Sequence, residues 1–219
     1  MVINIIYNFI FTKGGYMKKG FTMAEVLVTL GIIGIVAAMT LPQVLINYKK
    51  QEVANKLKKT YSILNQAIRT SENDNESTQY WNTSLSGHDF FEIYLKKYFI
   101  HPVEISKSEL TKKVQRKNLN GSNYGGTTYN GGNTTNFLTN DGALITINLN
   151  SSNEGGLWVG IDVNGFAKPN TVGKDTFLFF FNHKTGLNPL GWVGSPSSYE
   201  CKGKCDREEF INGKGGHGM

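Results

Sequence analysis

Between Phe21 and Ile46 the chain reads FTMAEVLVTLGIIGIVAAMTLPQVLI, 26 residues with a single charge, Glu25. As a helix rising ~1.5 Å per residue, this run is about 39 Å long and can cross a ~30 Å hydrocarbon layer with some tilt. A secretory signal peptide has an apolar stretch of roughly 7 to 15 residues and then a small-residue cleavage site. Here the run is longer, and the basic Met17-Lys18-Lys19-Gly20 stands directly before it. A carboxylate inside hydrocarbon is costly, so Glu25 implies a partner. The competing reading is a plain single-span anchor with an incidental glutamate.

Charge says less than its total suggests. The net charge is +6 and the isoelectric point about 9.2, but Lys13, Lys18 and Lys19 lie in the first 20 residues, where there is no acid. Without that segment the balance is 20 basic against 17 acidic residues, too even to argue for nucleic acid. The 219 residues, 39% hydrophobic, are enough for one packed domain with appendages.

The run Lys18-Lys19-Gly20-Phe21-Thr22-Met23-Ala24-Glu25, followed by an apolar helix, resembles the class III signal of type IV prepilins and type II secretion pseudopilins. The resemblance implies cleavage by a membrane-embedded prepilin peptidase between Gly20 and Phe21, with N-methylation of the new Phe21 amine. It implies that the helix anchors the precursor in the inner membrane and then becomes the core of a filament, with Glu25 pairing with the Phe21 amine of a neighbouring subunit. The partners implied are the peptidase, other pilin or pseudopilin subunits, and an inner-membrane assembly platform with a cytoplasmic ATPase. The head would lie outside the cytoplasm, in the periplasm and later at the cell surface. Pro42, inside the run, removes one helical hydrogen bond and is expected to bend or locally melt the helix. The alternative within the class is a membrane-tethered binding subunit, for adhesion or DNA uptake, that does not form the bulk filament.

The expected organisation is a leader at 1–20, an assembly helix at 21–46, an amphipathic continuation at 47–70 and a globular head at 71–219. Residues 1–16 are read as a mis-assigned start, with a genuine longer leader from Met1 as the alternative. Met17 gives a leader suited to the peptidase, and Lys13-Gly14-Gly15-Tyr16 can be encoded by a ribosome-binding sequence. Val53, Leu57, Tyr61, Leu64 and Ile68 fall at helical spacing among lysines, which reads as an apolar stripe against the head and a solvated outer face. A shorter helix is predicted from Asp89, as cap, with Glu92 completing a capping box, to about Tyr98. Residues 106–135, rich in Lys, Asn, Gly and Thr, are expected to form an exposed loop that includes Tyr124 and Tyr129. From 136 to 182, short strands with turn signals give an antiparallel meander, with Phe177–Phe181 as a buried strand. The fold class is α+β: a long N-terminal helix packed on a C-terminal antiparallel sheet, pilin-like.

No nucleophile elbow, phosphate-binding loop or zinc-protease motif occurs, and the enzyme reading has little support. The segment DVNGFAKPNTVGKD resembles a pattern found in prepilin-type proteins. Its Asp162, Asn164 and Asp175 are the candidate calcium ligands, although Asn164-Gly165 also makes a turn unaided. Cys201 and Cys205 are expected to form a disulfide once the head leaves the cytoplasm, with zinc binding as the weaker alternative.

Overall fold

The computed structural model describes residues 20–125, 133–149 and 156–190. The leader before Gly20, Tyr129 and the Cys201-Cys205 pair lie outside the described residues. The chain divides into two compact units, residues 1–49 and 50–219. One helix, α1 (Met23–Asp74), contributes to both.

In the first unit the helix is exposed along almost its whole length, including Leu27, Ile33, Met39 and Leu45. It is the one helix among the described residues long and apolar enough to cross a membrane. Thr29 and Thr40 fold their hydroxyls back onto Val26 O and Val36 O, at 2.9 Å each. Those bonds satisfy polar groups that lipid could not. The α-helix continues through Pro42 without interruption, so the expected local melting does not occur.

The second unit contains a six-stranded antiparallel sheet in sequential order. Its strands are β1 (Val103–Glu104), β2 (Thr134–Leu138), β3 (Leu144–Asn148), β4 (Gly156–Asp162), β5 (Thr176–Asn182) and β6 (Gly186–Pro189). Alternation sorts their side chains onto two faces. Phe137, Ile145, Ile147, Val159, Ile161, Phe179 and Phe181 point to one face and pack with Leu64 and Ile68 of α1. Tyr61 anchors the same helix, its hydroxyl donating to Leu187 O at 2.7 Å and its ring 5.6 Å from Phe179. Lys59 reaches Asp141 at the β2–β3 turn, at 2.9 Å. This is the α+β pilin-like architecture.

The opposite face of the sheet is covered as well, which corrects the expectation of an exposed loop at 106–135. Residues Lys107–Lys113 form a helix, α3, capped by Ser106, whose hydroxyl accepts from Glu109 N at 3.2 Å. Leu110 and Val114 bury against Leu144, and Tyr124 buries against Val172 and Leu178. All five residues of β3 and all seven of β4 are therefore buried. Buried polar groups on that second face pair across the ladder, Thr146 Oγ1 donating to Asn136 Oδ1 at 2.9 Å.

The short helix α2 spans Gly87–Tyr94, followed by a 3₁₀ turn at Lys96–Tyr98. Its cap is Ser86, not Asp89: the Ser86 hydroxyl accepts from Asp89 N at 3.1 Å and donates to the Asp89 carboxylate at 2.7 Å. Asp89 thus takes the third position of the box, and Glu92 instead pairs with Lys96 one turn later. The start of this helix is pressed onto β2. A Cβ added at Gly87 would lie 2.2 Å from Thr134 O. Gly87→Ala gains up to ~1 kcal/mol of helix propensity but meets unyielding backbone, so a net loss of about 1–3 kcal/mol is expected in urea unfolding. Unchanged or higher stability would show that α2 can leave β2 freely.

Candidate functional site

Two places hold the residues singled out from sequence. At the N-terminus of α1, Thr22 and Glu25 form a reciprocal capping box. Thr22 N and Thr22 Oγ1 donate to Glu25 Oε2 at 2.8 and 2.9 Å, and Glu25 N donates to Thr22 Oγ1 at 3.2 Å. Within a single chain the Glu25 carboxylate therefore satisfies donors at its own helix start. Thr22-x-x-Glu25 is also a capping signal in the sequence, beside the place of Glu25 in the prepilin-like signal and its charge in an apolar run. Gly20 and Phe21 precede the helix, and Phe21 is 85% exposed.

The second place is the connection between β4 and β5. It is a thirteen-residue crossing, not a tight hairpin at Asn164-Gly165. Gly165 takes φ +65 and lies where a Cβ would be 2.5 Å from Gly142 O, so only glycine fits against the β2–β3 turn. The two carboxylates at the ends of the loop are buried. Asp175 accepts from Thr171 N at 2.6 Å, Asn170 N at 2.8 Å and Asn164 Nδ2 at 3.2 Å. Asp162 accepts from Thr176 Oγ1 at 2.8 Å and Asn164 N at 3.3 Å. With its amide nitrogen turned toward them, Asn170 also donates to Ala167 O at 3.0 Å and Asp162 Oδ2 at 3.3 Å. Burial pushes the Asp162 carboxyl up to about 7. The Thr176 hydroxyl and the buried Arg116 oppose this rise, and the Asp175 charge adds to it.

The structure brings Asp162, Asn164 and Asp175 together, as the calcium reading required. The groups facing both acids, however, are N–H and O–H donors. A cation there would have to displace these donors, although Asn164 Oδ1 is a buried oxygen without a hydrogen-bond partner. The arrangement ties the loop shut. Asn170 and Thr171 belong to the segment read from sequence, but their role as backbone donors to Asp175 was not legible, nor was the approach of Thr176 and Arg116 to Asp162.

Residues 43–195 match the model of a family of unknown function, DUF6613. The chain belongs to that family. The DUF6613 region takes in the whole described sheet and the β4–β5 loop. Residues 16–41 match the prokaryotic N-terminal methylation motif, the signal of type IV pilins and pseudopilins. The two matches abut at Pro42. No curated protein and no solved structure matches the chain. The chain is thus a type IV pilin- or pseudopilin-like precursor with an apolar anchoring helix, carrying a DUF6613 head.

Proposed function

We propose that this protein is a structural subunit of a type IV pilus-like or type II secretion pseudopilus filament. Prepilin peptidase cuts between Gly20 and Phe21 and the Phe21 amine is methylated. The 21–46 segment then leaves the bilayer to join the filament core, and the 71–219 head lies outside the inner membrane. Glu25 exchanges part of its capping role for the Phe21 amine of a neighbouring subunit. Pro42 lies inside the assembly segment, near its C-terminal end, and takes part in assembly. Cys201 and Cys205 form a disulfide in that oxidising compartment. The observation that carries the reading is an apolar helix, starting at Met23 inside the matched methylation motif, with no buried side chain in its membrane-length window. So much uncovered apolar surface needs lipid or neighbouring subunits around it. The chain does mechanical work, and the peptidase and an assembly ATPase supply the chemistry.

Intact mass and N-terminal sequencing of protein from native membranes and from sheared surface material test this, under non-reducing conditions. The expected product begins at methylated Phe21 and is two hydrogens lighter than the reduced chain. Functional protein beginning at Met1 or Met17 would reduce the segment to an anchor and withdraw the filament. Processed protein confined to the membrane fraction would favour the tethered binding subunit. If that subunit served DNA uptake, its head would bind DNA with a steep salt dependence.

A further inference from the structure

On the β1 edge of the sheet, two secondary-structure elements bring together one imidazole and two carboxylates that neither filament assembly nor the β4–β5 loop uses. His88 and Glu92 stand four residues apart on α2, so they share one side of that helix. Glu104 lies on β1, opposite Phe137 in the ladder. The helix is held in register with this edge. Phe91 stacks on Phe137 with ring centroids 4.5 Å apart, and Gly87 brings the helix start against Thr134. His88 Nδ1 and Glu104 Oε2 are 2.6 Å apart, and ligand atoms of all three residues lie within 4.8 Å of one another.

We propose that His88, Glu92 and Glu104 form a surface site for a transition-metal dication of the zinc class, bound by one imidazole nitrogen and one oxygen from each carboxylate. The imidazole selects against calcium and magnesium, which prefer all-oxygen sets. Zinc commonly takes three protein ligands and a water, and the exposed position of this cluster leaves room for the fourth ligand. Asp89 adds a negative charge beside His88. Lys96, paired with Glu92, is the group the metal must displace. The donors are already within a small adjustment of a coordination shell. The His88–Glu104 contact opens slightly, and Glu92 swings from Lys96 to the metal. Bound metal would pin the two-residue edge strand β1 to α2.

Zinc chloride titrated calorimetrically into the detergent-solubilised full-length chain tests the site. Cys201→Ser and Cys205→Ser are included so that thiolates do not compete. The expected result is one saturable zinc per chain, weakened at least about tenfold by each of His88→Ala, Glu92→Gln and Glu104→Gln, with circular dichroism unchanged. Cobalt(II) as a second probe should give visible d–d absorption that His88→Ala removes and an excess of magnesium does not. No saturable heat up to millimolar zinc overturns the site, as does binding that persists in His88→Ala. None of these readouts depends on filament formation.

Discussion

Glu25→Gln is expected to leave the precursor inserted and cleaved but to reduce surface filaments to background, the same outcome as Glu25→Ala. The comparison matters because Glu25 has two possible roles. In the single chain it closes a capping box with Thr22, and glutamine serves that position nearly as well as glutamate. The proposed intersubunit role needs the charge, because a buried ammonium left without its carboxylate is strongly unfavourable. If capping were the whole function, Glu25→Gln would assemble like the parent and only Glu25→Ala would falter. If the charge pair is the function, both fail. Immunoblots of sheared surface fractions against total membranes read the difference. Wild-type filament yield from Glu25→Gln would remove the intersubunit pair from the proposal.

The parts of this molecule that were legible in the sequence are those whose physics is local or periodic. The apolar run, the helical stripe through Leu57, Leu64 and Ile68, and the short apolar segments around Ile145, Val159 and Phe179, set off by turn signals, all reported the fold, because each must bury its apolar side chains. The second face of the sheet was not legible. Leu110 and Val114 sit among lysines and asparagines whose composition signals a loop, and only the capping pattern Ser106-x-x-Glu109 hinted at α3. The two residues of β1 are too few to show a period. Asp89 and Glu92 have the spacing of a capping box just as Ser86 and Asp89 do, and Ser86 stands before a glycine, a poor helix former kept here by its contact with Thr134. At the β4–β5 loop the acids were legible. Their donors were not, since whether an aspartate holds a cation or a backbone depends on which N–H groups the turn directs at it.

That loop gives the second large effect. Asp162 ordinarily titrates near 3.8 and is raised to about 7 in the folded chain, first of all by burial. The folded state therefore holds this proton more tightly than the unfolded state. The associated stability is complete below about pH 4 and is lost as pH rises through about 7. Its size is on the order of 2–4 kcal/mol, given that each pKa unit corresponds to about 1.4 kcal/mol. Exposed carboxylates such as Asp74, held low by its hydrogen bond from Lys97, act in the opposite sense and at more acid pH. Asp162→Asn should therefore match the parent near pH 4, exceed it at pH 8, and flatten the slope between. The substituted amide keeps an oxygen for Asn164 N, and Asn170 can turn its own oxygen to accept from the new nitrogen. Urea midpoints of both proteins in detergent from pH 4 to 8 measure this, and parallel slopes would show that Asp162 ionises freely. Calcium added at pH 8 separates the remaining alternative. A midpoint that rises with calcium in the parent, but not in Asp162→Asn, would mean that the loop exchanges its donors for a cation. No change is expected, because five N–H and O–H donors, with Asn170 in its turned orientation as a sixth, already bind the two carboxylates and a cation would have to displace them.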